Sequence, residues 1–169
     1  LAQLDYSLGI TGDSIESTEA LFLKGRALND LGRTHEALAT LKQGIPPENR
    51  SDFAKSSVGL IREINTTLGV IHNIAYFDEL ISRNPKDAAA HYFRGLEHFR
   101  RGDGEKAVLD FDATFGLGLQ IDEVLSTRGY AHLKFGDLDV ARRLLTEALQ
   151  FNPKNATVNS YFGEYLLIR

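Results

Sequence analysis

The sequence contains no cysteine. Disulfides, thiolate metal sites and cysteine nucleophiles are therefore excluded, while the compartment stays open. It contains no methionine either, and residue 1 is Leu. Together with the apolar edges Leu1, Leu4 and Leu8 at one end and Tyr165, Leu166, Leu167 and Ile168 at the other, this gives the expectation of a piece of a longer protein. Proline is scarce, with 4 residues at 46, 47, 85 and 153. No apolar run approaches the length that spans a bilayer. Positive charge is in deficit: 19 basic against 23 acidic residues give a net charge of −4 and a pI near 5.7. That balance argues against nucleic acid as the main partner, since nucleic-acid binding draws on a basic face. What remains is ordinary globular material, 43% apolar and 25% charged over 169 residues, enough for a real core.

The sequence repeats itself. Gly25, Gly95 and Gly129 are each followed seven residues later by another glycine (Gly32, Gly102, Gly136) and five residues after that by alanine (Ala37, Ala107, Ala141). Gly95 to Gly129 is 34 residues, and so is Gly129 to Gly163. Gly25 to Gly95 is 70, two periods and two residues, and the polar turn Pro46–Ser51 is the expected place for the extra pair.

A period of this length with these residues reads as a pair of helices. The second glycine ends the first helix, because helices commonly stop on one residue of positive φ. Asp103, Asp137 or Thr34 then caps the next helix. The alanine allows close approach, with Leu41, Phe111 and Leu145 one turn further on. Asn84-Pro85 and Asn152-Pro153 stop the second helix. Helices are expected at about 1–9, 18–31, 34–44, 53–67, 70–83, 88–101, 104–116, 122–135, 138–150 and 156–168, with no competing strand pattern.

These residues resemble the tetratricopeptide repeat family. Residues 122–155 match through Gly129, Gly136, Ala141, Leu145, Ala148 and Pro153; residues 88–121 through Gly95, Gly102, Ala107 and Phe111; residues 18–51 through Gly25, Leu28, Gly32, Ala37 and Leu41. Residues 54–87 are degenerate, with Ile61 in place of the small residue and Asn73 in place of Ala. Residues 1–17 and 156–169 are partial units. The resemblance implies an all-α fold, a right-handed α-solenoid of antiparallel helix pairs stabilised between neighbours, over one domain of residues 1–169.

No catalytic constellation emerges. His98 and His132 both stand at position 11 of their units, a packing slot. There is no His-Glu-x-x-His run and no Gly-x-Ser-x-Gly elbow. Asp110-Phe-Asp112 departs from a calcium loop, with its glycine one place late and Ile121 where the bidentate Glu belongs. Arg94 pairing with Asp110 or Asp112 across the helix pair is the better expectation. Arg101-Gly102-Asp103 is an interhelix turn despite its resemblance to an adhesion tripeptide. Asn65-Thr-Thr67 and Asn155-Ala-Thr157 are glycosylation sequons in form. The reading is non-catalytic, without cofactor or metal.

The resemblance further implies that first helices line a concave groove. Its N-terminal half would offer Phe22, Arg26, Asn29, Arg62 and Asn65, and its C-terminal half Tyr92, Phe93, Leu96, Phe99 and Tyr130. Asn can bond a peptide backbone, Arg can grip a carboxylate, and the aromatic half can bury an apolar anchor. The Lys/Asn clamp of chaperone-tail binders is not present, since Phe22, Arg26, Gly59, Ala89 and Phe93 stand in its place. The function expected is a scaffold that binds a protein or peptide segment. Two alternatives stay open: self-assembly through the terminal helices, and a regulatory arm of a larger enzyme.

Overall fold

The computed structural model describes residues 16–45, 51–135 and 137–168. The helix expected over 1–9, most of the turn at 46–51 and Gly136 lie outside them. Among the described residues all regular structure is helical and there is no strand. The helices are α1 (Thr18–Asp30), α2 (Thr34–Gln43), α3 (Asp52–Thr67), α4 (Ile74–Arg83), α5 (Ala88–Arg101), α6 (Gly104–Gly116), α7 (Asp122–Phe135), α8 (Leu138–Phe151) and α9 (Ala156–Ile168). The fold class is an all-α helical repeat.

Local chemistry starts most of these helices. Ser17, Ser51, Asn73, Asp87 and Asp137 each accept a hydrogen bond from the backbone N–H three residues on. This satisfies a donor that the first turn would otherwise leave unpaired. Asn155 serves α9 by accepting from Thr157 and Val158. Asp103 departs from the expected cap; its carboxylate lies 3.3 Å from His98 Nδ1 instead. Gly32 and Gly102 end α1 and α5 at φ +74° and +81°, the conformation that favours glycine.

The chain forms two compact units, the first ending at Ile71 and the second starting at His72. The sequence pattern alone suggests one continuous stack. The division falls in the stretch whose repeat residues are lost. There α3 begins at Asp52, capped by Ser51, two residues before the expected unit boundary. Its buried face, Ser57, Ile61 and Ile64, keeps the expected register. Helix α4 begins at Ile74, not at 70, because Gly69 turns at φ +68° and Asn73 caps the helix from outside it.

In the first unit, α1 and α2 pair and α3 packs on both. In the second unit, α5 pairs with α6 and α7 with α8, while α9 packs on α8 and α7. One contact recurs in each pair. A Cβ placed on Gly25 would lie 2.6 Å from Leu41, on Gly95 2.9 Å from Phe111, and on Gly129 2.9 Å from Leu145. The glycine is a slot for the bulky side chain of the partner helix. Ala37, Ala107 and Ala141, four residues before those bulky side chains, are all fully buried.

Candidate interaction surface

Several ionisable groups of the second unit are held in structural pairs. Asp110, 4% exposed, receives the Arg94 fork at 2.9 and 2.7 Å, and His91 Nδ1 lies 3.0 Å from it. The remaining Arg94 nitrogen donates to Asp78 at 2.7 Å. Bonding to Asp110, then to Asp78, holds the Arg94 guanidinium in its charged form against the cost of burial. Arg128 repeats that second bond with Asp112. Arg94–Asp78 and Arg128–Asp112 are the same rung one 34-residue period apart, each reaching back to the preceding helix pair. Arg94 therefore takes Asp110 of the two partners expected for it, and Asp112 belongs to the next rung.

Other sequence motifs also resolve into packing. His98 is buried at 7% exposure, and His132 stands 3.6 Å from Asp112. Arg101 and Asp103 of the turn tripeptide are engaged by Glu97 and His98. Asn65 is 3% exposed and cannot serve as an acceptor in the folded chain. Asn155 donates to Asp122 while capping α9. Among the described residues no cluster of His, Asp and Glu is placed to hold a metal ion.

The residues expected to line a groove separate sharply by position. Tyr92 and Phe93, at 0% and 1% exposure, are core residues, and their assignment to an open surface is corrected. Tyr92 packs on Phe111 at 6.1 Å and Phe93 stacks on Phe77 at 6.1 Å. Val58 and Ser126, equivalent in their units to Tyr92, are buried too. That helix face meets a neighbouring element. Asn65 is corrected likewise, and its Oδ1 has no hydrogen-bond partner. In the first unit, Arg26 is exposed, and Phe22, Asn29 and Arg62 are half-buried. The Phe22 ring lies 6.0 Å from that of Phe53. Asn29 lines a small cleft of about 90 Å³ with Thr34, Glu63, Ile64, Thr67 and Leu68.

In the second unit, Leu96, Phe99 and Tyr130 remain half-buried and partly open. The structure joins two of them into a longer feature. Phe99 on α5, Tyr130 on α7 and Tyr161 on α9 form a ladder of rings, with centroids 5.6 Å and then 3.9 Å apart. The Tyr130 and Tyr161 rings are stacked within 9° of parallel. Phe135 closes the other end, edge-on to Phe99 at 5.5 Å. Its ring rests on Gly104, where a Cβ would meet it at 2.1 Å. Lys134 crosses from α7 to Glu164 on α9 at 2.8 Å and sits 5.5 Å from the centre of the Tyr130 ring. The Glu164 bond keeps the Lys134 ammonium charged and lowers the carboxyl. Burial, then Tyr130 and the carboxylates of Glu123 and Glu164, push the Tyr161 phenol up.

The sequence did carry a signal for Tyr161. Phe99, Tyr130 and Tyr161 are spaced by 31 residues, three short of the period. Three residues is one step along a helix ridge, so the ladder crosses successive first helices obliquely. Glu97 was missed as well. It is 2% exposed and accepts from Arg100 at 2.8 and 2.6 Å and from Arg101 at 2.7 Å, with His72 Nδ1 at 3.0 Å. Its three- and four-residue spacing to two arginines was the available clue.

Family comparison matches residues 18–45 and residues 74–117 separately to models described as tetratricopeptide repeat. These two stretches are tetratricopeptide repeats. Solved structures agree at the level of the fold. A thermophilic TPR protein from Thermus thermophilus is 21% identical with a TM-score of 0.51, covering 98% of this chain and 88% of that one. The TPR domain of P58(IPK) is 17% identical with a TM-score of 0.54, covering 98% of this chain and 49% of that one. No curated protein matches the sequence. Tetratricopeptide repeats build protein-interaction scaffolds, and the paired helices described above are that architecture. Among the described residues no helix is long and apolar enough to cross a membrane.

Proposed function

We propose that this chain is a non-catalytic scaffold that binds a segment of a partner protein on the first helices of its repeats. The observation that carries the reading is the ladder Phe99–Tyr130–Tyr161. Its rings are half-buried and continuous across three helices, with Tyr130 and Tyr161 packed on the cluster of Leu133, Ala141, Leu145 and Tyr165. Preformed aromatic surface of this kind supplies binding energy at little cost in side-chain ordering. Leu96, one turn before Phe99 on α5, extends the apolar area. In the first unit, Arg26, Arg62, Asn29 and Phe22 supply a more polar surface for the same kind of ligand.

A random-peptide display selection on the purified chain tests this, followed by counter-screening on Tyr161→Leu. The reading expects clones whose binding drops about tenfold or more on the variant, in line with the loss of a central aromatic contact. Selected clones that ignore Tyr161→Leu, Tyr130→Ala and Arg26→Ala alike would remove it.

Self-association is a second reading, favoured by Leu166, Leu167 and Ile168 on α9 at 59%, 88% and 52% exposure. Light scattering over a wide concentration range tests it. A constant monomer mass would exclude it.

A further inference from the structure

We infer that the face of α9 around Gly163 receives a helix from a partner protein, one that presents Leu or Phe four residues after Ala. This face is separate from the ring ladder, so the inference goes beyond the reading above. Gly163 stands two residues from Tyr161, about 200° around the helix.

The observation is a slot left open. Gly25, Gly95, Gly129 and Gly163 hold the same position in their units. A Cβ on the first three would lie 2.6, 2.9 and 2.9 Å from Leu41, Phe111 and Leu145. On Gly163 it would meet nothing within 4 Å. The residue three further on changes in the same sense. Leu28 and His98 stand there in their units at 3% and 7% exposure, whereas Leu166 is 59% exposed. Leu167 beside it is 88% exposed. Gly163, Leu166 and Leu167 are spaced i, i+3 and i+4 and so share one face of α9. A glycine inside a helix lowers its stability, and two adjacent leucines in water leave apolar surface uncovered. A helix seated on this face explains both.

The chain itself shows what fits the slot. Three times a Leu or Phe sixteen residues after the glycine fills it, and three times a fully buried Ala stands four residues before that side chain. The pairs are Ala37 and Leu41, Ala107 and Phe111, Ala141 and Leu145. At i and i+4 the small and the bulky residue lie on one helix face, the face turned to the glycine. The contacting residues of α9 carry no charge, so the matching surface of the occupant is apolar as well. A second copy of the chain is a poor occupant. Its α2, α6 and α8 hold Leu41, Phe111 and Leu145 fully buried in pairs of their own, so these helices are not free to dock. The helix is supplied by a different protein.

Display of randomised peptides of about 20 residues, long enough to hold several helical turns, on the intact chain tests the inference. Clones lost on Gly163→Leu are kept. That substitution fills the slot from within, where the folded chain leaves open space, so its thermal melt matches or exceeds that of the wild type. Leu166→Glu, at an exposed site, serves as a second counter-screen. The expected result is a consensus of Leu or Phe four residues after Ala, with a gain of helix in circular dichroism on binding. Fluorescence anisotropy of the strongest clone shows a loss of about tenfold or more on Gly163→Leu and on Leu166→Glu. Replacing the clone's own Leu or Phe by Ala has the same effect, and Tyr161→Leu leaves the affinity unchanged. A selection without clones that depend on Gly163 and Leu166 overturns the inference. So does a dependent consensus that lacks the Ala spacing, or one lost equally on Tyr161→Leu. Light scattering in which the chain alone associates, and Gly163→Leu abolishes the association, overturns it too, since a second copy then fills the face.

Discussion

At the scale of single residues, glycine and alanine do the work of spacing. Ala141 is fully buried in a cluster with Leu133, Leu145 and Tyr165. Ala141→Leu adds volume where nothing can move outward, and a loss of about 1–3 kcal/mol is expected in urea unfolding. A denaturation midpoint equal to that of the wild type would contradict this packing. Glu97 gives the clearest dependence on pH. Bonds from Arg100, and after it Arg101 and His72, outweigh its burial and lower the carboxyl to about 2. Its folded value lies below the ordinary carboxylate range, so its contribution to stability is complete above that range and is lost as pH falls towards about 2. Glu97→Gln is therefore less stable than the wild type at pH 6, and the difference shrinks on titration towards pH 3, as urea melts at the two pH values would show. The glycine slots were legible because a glycine costs a helix interior stability, so its return at one place opposite a bulky residue points to close packing. The burial of Tyr92 and Phe93 was not. An aromatic residue on a first helix suits a surface or a core equally well, and the neighbouring element that covers it leaves no mark at those positions.

At the scale of elements, the period of 34 residues predicts pairing, and the end of each helix follows from local chemistry. Most helix ends were legible because Ser17, Asp87, Asp137 and Gly102 announce them by residue type. The stretch around α3 and α4 was less so. Ile61 and Asn73 break the pattern there; the extra pair was expected in the turn Pro46–Ser51, most of which lies outside the described residues, and α3 starts at Asp52 behind its cap Ser51. The start of α6 has a separate role. Gly104 lies under the Phe135 ring at the end of α7, and that ring in turn meets Phe99. Gly104→Ala must displace Phe135, with an expected cost of about 1–3 kcal/mol and a loss of nuclear Overhauser contacts between the Phe99 and Phe135 rings. Retained contacts at full stability would show that the ring has room that the structure does not give it.

At the scale of the molecule, repeated helix pairs bring residues of different repeats side by side, as the rings of Phe99, Tyr130 and Tyr161 on three helices of the second unit show. Two of the three ladder rings were legible: Phe99 and Tyr130 stand at positions that the family resemblance exposes. Tyr161 escaped notice because it follows the 31-residue diagonal instead of the 34-residue column. Heteronuclear NMR titration of the labelled chain with a display-selected peptide tests the account most directly. The account predicts that the largest shift changes fall on Phe99, Tyr130, Lys134, Tyr161 and Glu164, while Arg142 and Arg143 on the exposed side of α8 stay in place. Shift changes centred on α8, with the ladder residues unmoved, would contradict it.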